Sequence, residues 1–561
     1  MTYQGPVVVA RWDTSRYRVL PSAALLLAII ALTGHFALFL VGGAEAIRYP
    51  FELDYGEGIV WQQALRIASG HAYGSIANYP AIVFHYPPVF HLLSTAAAAT
   101  FGLDQLAAGR TISIVSTLLI GCLVGLLTFR ASSEETGTAA ASICAVIGGL
   151  IVFTLCPVTV WAPMMRVDMA ATAFSLAGVL LGIEALRRPI LVHGAALFFV
   201  AAVFTKQTMI AAPAATFLTL FLVDPKSARA GFATMVLGGL AVLSVLTWST
   251  DGGFIRHVFL YNINRFEAWR LQWVAKAALV HSFYFAVAAI GMWWRLGDRL
   301  PAYRGASLAG IRRKLRAEPA DAALLLILSY FTLATAMLIT VAKLGSNVNY
   351  FIEWMCVLAI LVGLAMREAA VAITRLSAAE RPQSPPFLLS AILPAAVAVQ
   401  ALMLPSIPDP AQQIPIAEIQ RLVTLVREAR RPVISDDMVI LLRAGKEVEW
   451  EPAIFAELAS KGMWDERPFV GLIRRRHFAF FVTEGDRGDV LFDSRYTPAV
   501  AGAIESAYPV ERQLAGFTLH LPAAGSWRIA SPEKHSSPST PQPECRPRDC
   551  RSPPNETRNS P

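Results

Sequence analysis

Tyr86-Pro-Pro-Val-Phe-His-Leu-Leu-Ser-Thr-Ala-Ala-Ala-Ala-Thr-Phe-Gly-Leu103 is apolar and carries no charge, and whether it crosses a membrane decides the side on which every later loop lies. Hydropathy alone counts it as a crossing. Charge decides against that. If it spans, then Arg187-Arg188, Lys226 with Arg229, the cluster Arg295 to Arg316, and Arg367 with Arg375 and Arg381 all face outward, which reverses the preference of Lys and Arg for the cytoplasmic side. If it lies in the interface, or dips in and returns, those cations share a side with the amino terminus, where Arg11, Arg16 and Arg18 precede the first apolar run. Small Ala, Ser and Thr residues, His91 and the opening Pro87-Pro88 also make it a weak spanner.

The rest of the chain sets the class. Of 561 residues, 55% are hydrophobic and 16% charged, the mean hydropathy is +0.49, and apolar runs of about 18 to 22 residues match a hydrocarbon core. Spans are expected near 20–43, 110–129, 137–157, 168–186, 190–205, 208–223, 229–248, 274–294, 321–342, 351–371 and 387–405. The expected fold is a polytopic α-helical membrane protein of about 11 transmembrane helices, with interfacial helices in the first outer loop and a small C-terminal α/β domain. Residues 1–405 form the membrane domain with its first outer loop at 44–109, residues 406–530 the α/β domain, and 531–561 a Pro-, Ser- and Arg-rich tail expected to be disordered. In the α/β part, Phe478–Thr483 and Thr518–Pro522 read as strands and Ile416–Arg430 as a helix. The first run is long enough to span, so it reads as an anchor with a cytoplasmic amino terminus rather than a cleaved signal. The net charge of +8 sits largely in short loops and reports orientation, not nucleic-acid binding. Cys122, Cys144, Cys156 and Cys356 read as packing residues, while Cys545 and Cys550 lie in the tail, where a local disulfide is open. Asn555-Glu-Thr reads as a chance sequon.

With that topology, polar residues gather at the outer face. They are Glu52, Asp54, Glu57, His71 and His85 of the first loop, then Arg166-Val-Asp168, Lys206-Gln207, Arg256, Arg265, Arg270 and the stretch Lys343 to Glu353. A carboxylate suits deprotonation of a hydroxyl or amine, and Lys and Arg suit a phosphate whose oxygen gains charge as it leaves. Each element also has a plainer reading. Asp54 and Glu57 fit the acidic first turn of a helix, Arg166 with Asp168 fits a structural pair, and Lys206 fits a snorkelling lysine. The histidines have no metal-like spacing. The aromatics Trp61, Tyr73, Tyr79, Phe84 and Tyr86 fit an interfacial belt before a sugar-stacking surface. Placement on one side is what joins them.

The order of these landmarks resembles that of the C-type (GT-C) integral-membrane glycosyltransferases, especially the bacterial branch similar to protein mannosyltransferases and the lipid A aminoarabinose transferase. Phe51-Glu-Leu-Asp54-Tyr55, Gly70-His-Ala-Tyr73, His85-Tyr-Pro-Pro88, Phe101-Gly-Leu103, Gly109-Arg110, Arg166-Val-Asp168, Thr205-Lys206-Gln207 and Asn347-Val-Asn-Tyr-Phe-Ile-Glu353 carry it, over roughly residues 20–370. The resemblance implies a glycosyltransferase of a bacterial inner membrane that moves a hexosyl or pentosyl group from a polyprenyl-phosphate-sugar donor to a lipid, glycan or protein acceptor, with its C-terminal domain periplasmic. It implies Asp54 as base or acceptor-orienting group and Asp168 as the second acid, with Glu57 as a further acidic candidate. Lys206, Arg166, Arg256 and Arg265 would hold the donor phosphate, and Tyr55, His85, Tyr86, Asn349, Tyr350 and Glu353 would contact substrate. In some members the second acid helps bind a divalent cation, so Mg or Mn is the ion to expect if one is used; no other cofactor is expected, and membrane lipids rather than nucleic acid are the surroundings. One departure is the separation of the acids: Tyr55 follows Asp54, and Glu57 falls on a neighbouring part of the helix surface. The rival reading is a transporter or flippase of lipid-linked sugars, which calls for charges near mid-membrane in interrupted helices and for internal symmetry.

Overall fold

The computed structural model of the chain describes residues 14–262, 264–374, 385–404 and 415–523. The tail with Cys545, Cys550 and Asn555 lies outside them. Among the described residues, five helices are long and apolar enough to cross a membrane: Val19–Arg48, Gln105–Ser132, Pro225–Ser249, Pro319–Ala342 and Val348–Ala365. Ala268–Val280 and Ser282–Tyr303 make a sixth if taken together across their 74° bend. Shorter apolar helices occupy most of the remaining expected spans, at Thr138–Thr154, Leu191–Val203, Ala211–Val223 and Leu388–Met403, with Asp168–Glu184 of 17 residues beside them. Helix length alone therefore does not reach eleven. Leu191–Val203 has 13 residues, about 20 Å of helix against about 30 Å of hydrocarbon, and its carboxyl end passes into the turn that carries Lys206.

The uncertain segment forms Val89–Phe101, a 13-residue helix that Gly102 ends in the left-handed region at φ 63°. It has the same length as Leu191–Val203 and Ala211–Val223, and it lies against Glu57–Ala68 and Gln105–Thr136 with Phe90, His91 and Ser94 buried. Where the membrane helices pack most tightly, small residues allow it: a Cβ on Gly149 would stand 2.7 Å from the Gly121 carbonyl oxygen, and one on Gly363 3.0 Å from that of Cys144. One end of the bundle is basic. There Arg312 and Arg316 donate to the carbonyls of Leu222 and Val223 (both 2.9 Å), and Arg130 pairs with Glu184 at 2.5 Å. The other end carries the first loop and the C-terminal domain.

That domain is a four-stranded mixed sheet of β1 (Ile434–Ser435), β2 (Phe481–Thr483), β3 (Val510–Leu514) and β4 (Phe517–Leu521), in the order β1-β2-β4-β3. Only β1 and β2 run parallel. The first expected strand shortens to three residues, and the expected helix is Ile416–Glu428. On one face, Trp450 stacks on Phe469 at 4.4 Å within a core that includes Phe455, Phe481 and Tyr496. The other face shares its core with the first loop, where Phe51, Ile59, Tyr73 and Phe84 cluster with Leu441, Phe480 and Leu519. Polar contacts fix this docking. Arg443 donates to both oxygens of Asp104 (2.7 and 2.9 Å) and to the Pro50 carbonyl (2.8 Å), Val448 N–H donates to Gln62 Oε1 (2.9 Å), and Ala81 N–H donates to the Glu449 carbonyl (2.9 Å).

Candidate active site

The first loop is shaped by Glu52. Its Oε1 accepts from the N–H groups of Gly56 (2.5 Å) and Glu57 (2.8 Å), satisfying the donors that open the Glu57–Ala68 helix. Gly56 makes the turn at φ 99°, and a Cβ there would meet Arg166 Nη2 at 2.9 Å. The turn sends Glu57 and Asp54 to different partners. Glu57 takes two bonds from Arg110 (2.9 and 2.7 Å) and one each from Met165 N–H and Leu53 N–H (both 2.7 Å). Burial raises its carboxyl, but Arg110 outweighs that and holds it below the usual range. With both oxygens doubly occupied, Glu57 has no free lone pair to offer a substrate, so the structure places it in the scaffold rather than in the reacting set.

Asp54 is the accessible acid, with its side chain 35% exposed and Arg166 Nη2 at 3.2 Å. Burial pushes its carboxyl up and Arg166 pulls against that. Arg166 also donates to the Tyr55 carbonyl, lies over the Trp161 ring at 5.3 Å, and leaves its buried Nε–H unmatched.

Two residues further on, Asp168 opens the Asp168–Glu184 helix and accepts from Lys206 Nζ (2.5 Å) and Asn349 Nδ2 (2.9 Å) on one oxygen and from Trp161 Nε1 (2.6 Å) on the other. Lys206 lies 4.9 Å from the centre of the Tyr350 ring. Lys206, Asn349, Tyr350 and Glu353 line a cavity of about 30 Å³ with Met209 and Trp354, and Glu353 accepts from Tyr330 OH at 2.7 Å. Tyr86 sits within the fields of Asp168, Arg166 and Lys206. The His85 carbonyl takes bonds from Gln207 (3.1 Å) and Asn262 (3.0 Å), while burial, then Lys343, His257 and Arg166, hold the His85 ring neutral with its value down to about 3. Lys343 donates to Asn262 Oδ1 at 2.8 Å, and burial with Lys461 and Lys206 nearby lowers it to about 8 although Glu457 opposes.

Three expected residues fall elsewhere. Arg256 is exposed and turns back to the Asp251 carbonyl (3.0 Å). Arg265 is 73% exposed and paired with Glu267 at 2.6 Å. Tyr55 is half-buried against the C-terminal domain, with Arg495 over its ring at 4.2 Å and Ala453 N–H donating to its hydroxyl at 3.4 Å. Backbone direction separates Tyr55 from Asp54, since neighbouring side chains leave the turn on opposite sides.

Other groups escaped the sequence reading because the C-terminal domain supplies them. Arg495 pairs with Asp436 (3.1 Å) and Glu484 (2.9 Å). Asp437 faces Glu52, and burial raises both carboxyls, Asp437 to about 6. Glu451 is 5% exposed, its Oε2 has no partner, and burial raises it to about 8 with Arg166 as the opposing charge. The alternation Glu447, Glu449, Glu451 was the available signal. Two meet the first loop, Arg66 with Glu447 (2.7 Å) and Tyr79 with Glu449, and the third has Arg166 near it. A divalent cation at Asp54 and Asp168 does not fit, because Lys206, Asn349 and Trp161 occupy Asp168 and Arg166 faces Asp54.

Fold and site together define a polytopic membrane protein in which a mixed-sign cluster, Asp54 with Arg166 and Asp168 with Lys206, adjoins a small cavity beside Lys206. No family model and no curated protein matches the chain. Its arrangement is similar to that of ArnT from Cupriavidus metallidurans in the apo state, with 16% identity over 87% of this chain and 97% of that one and a TM-score of 0.49. For the same protein bound to undecaprenyl phosphate the figures are 15%, 91%, 98% and 0.48. The oligosaccharyltransferase of Archaeoglobus fulgidus in the apo form is similar at 11% identity over 80% of this chain and 69% of that one, with a TM-score of 0.46.

Proposed function

We propose that the chain is a glycosyltransferase that moves a sugar from a polyprenyl-phosphate donor to an envelope acceptor at the outer face of a bacterial inner membrane. The observation that carries this reading is the gathering of cationic donors around Asp54 and Asp168. Arg166 faces Asp54 at 3.2 Å and Lys206 faces Asp168 at 2.5 Å, Lys343 stands near Lys206 with Glu457 as its opposing charge, and the buried Arg166 Nε–H has no partner. A phosphate monoester or diester is an anion that such donors hold. The cavity beside Lys206 is lined by Met209, Ala334, Met337 and Trp354, apolar enough to sit beside a lipid chain.

In this reading Asp54 accepts the proton of the acceptor hydroxyl or amine as the acceptor atom bonds to the anomeric carbon. The bond from that carbon to the phosphate oxygen breaks, and the charge that appears on the leaving phosphate is met by Arg166, Lys206 and Lys343. Asp168 is a positioning residue that aims Lys206. The identity of the side chain at Asp54 separates chemistry from binding. Asp54→Asn is expected to lower kcat about 10²- to 10⁴-fold with the protein still folded, whereas Lys206→Met is expected to act first on the KM for the donor. Transfer of label from a polyprenyl-phosphate sugar in proteoliposomes measures both, and full activity of Asp54→Asn overturns the assignment.

A further inference from the structure

Outside that cavity, Asp486, Glu511 and His520 meet on the C-terminal domain, where one ring nitrogen and one oxygen of each carboxylate lie within 4.8 Å of one another. The sheet brings them there. Glu511 stands directly opposite His520 across β3 and β4, so their side chains share a face, and Asp486 lies in the turn just beyond β2, the strand on the other side of β4. Asp486 Oδ1 is 3.6 Å from His520 Nε2, and Glu511 Oε1 is 3.8 Å from Nδ1; neither is a hydrogen bond. His520 is 2% exposed, yet its Nδ1 has no partner, and neither has the buried Asp486 Oδ1.

Buried polar atoms are rarely left so. Thr483 Oγ1 stands 2.9 Å from His520 Nε2 and donates its own proton to the Gly485 carbonyl at 2.9 Å. Its oxygen then accepts from Nε2–H, which leaves a bare lone pair on Nδ1, the arrangement by which an outer partner fixes a metal-binding imidazole. An imidazolium between the two acids is the competing account. Neither acid comes within hydrogen-bond distance of the ring, at 3.6 and 3.8 Å, as an imidazolium held between them would require, and the nearby Arg487 is engaged by Glu505 at 2.9 Å.

We propose that Asp486, Glu511 and His520 bind one divalent cation of the zinc class. One imidazole and two carboxylates form a donor set that leaves a fourth position for water. A tetrahedral ion with bonds of about 2.0–2.2 Å sets its ligand atoms about 3.3–3.6 Å apart. Closing on Nδ1 therefore asks Glu511, 55% exposed, and Asp486, 42% exposed and on a turn, to swing inward. The ion would tie the β3–β4 hairpin to the turn after β2, and it is independent of the sugar-transfer reading.

The test uses full-length protein in detergent, stripped with a chelator, desalted and titrated with zinc chloride by calorimetry. One tight equivalent is expected. Glu511→Gln and Asp486→Asn, at half-exposed side chains that the fold does not need, should each weaken it about ten-fold or more, and zinc should raise the melting temperature of the wild type above that of either variant. No tight equivalent in the wild type, or wild-type affinity in Glu511→Gln and Asp486→Asn, overturns the proposal.

Discussion

Glu57 and Asp54 are three residues apart and face opposite physical demands. Glu57 is sealed with Arg110 at 0% exposure for both side chains, so removing one partner strands a charge away from water. Breaking such a pair costs about 3–5 kcal/mol. Arg110→Met is therefore expected to lower the melting temperature sharply in thermal unfolding, whereas Asp54→Asn leaves it nearly unchanged; equal losses would show that Asp54 is also structural. Glu451 makes the opposite case, a carboxyl kept protonated. Its ordinary value of 4.5 rises to about 8 in the folded chain, so the folded state retains a proton that the unfolded state releases between those limits. Stability from this group is greatest below 4.5 and is lost as pH climbs toward 8. Glu451→Gln mimics the protonated form, so its melting temperature should fall less than that of the wild type between pH 5 and pH 9. Parallel pH curves for the two proteins would remove Glu451 from this role. Asp54 and Lys206 were legible as residues because acids and lysines at the ends of apolar runs need partners. Glu451 and Asp437 were not, since their burial depends on a docking that no local pattern encodes.

The Glu57–Ala68 helix joins the two halves of the molecule. Its outer turn lies so near the helix Met438–Arg443 that a Cβ on Gly58 would stand 2.6 Å from the Met438 backbone, far inside ordinary contact. Backbone cannot retreat as a side-chain tip can. Gly58→Val is therefore expected to push the C-terminal domain off the first loop, exposing Phe51, Ile59 and Phe84, and to weaken transfer more than it weakens the membrane helices. Limited proteolysis should find new cleavage within 415–523 while the membrane fragment persists. An unchanged digest would mean that the interface absorbs the added volume. At this scale the short strands near 481 and 518 were legible because the period of a strand is a local quantity, whereas the placing of the segment 86–103 at an interface drew on the charges of loops far along the chain. The sequence reading missed that Tyr55 belongs to the interface, where Arg495, 440 positions later in the chain, covers its ring.

The whole molecule has two chemically different ends, and the difference carries an expectation of how it sits in a membrane. Asp168–Glu184 starts at the cavity and finishes beside Arg187-Arg188; Leu191–Val203 returns to Lys206; Ala211–Val223 finishes where Arg312 and Arg316 gather. Pro319–Ala342 leads back to Lys343, and Ile352–Ala365 runs down to Arg367. Short loops rich in Lys and Arg thus alternate with loops that carry the cavity, and the positive-inside preference puts the former in the cytoplasm. On that preference the cavity, the first loop and the C-terminal domain are expected to face the opposite compartment, the side on which the proposed transfer would take place. A single cysteine placed at exposed Val490, in a chain whose native cysteines are replaced by serine or alanine, should react with a membrane-impermeant maleimide in intact spheroplasts. One placed at exposed Leu308 should react only after the membrane is opened. The reverse pattern would put the carboxylates with the cytoplasm, and with them any donor would have to be presented from inside.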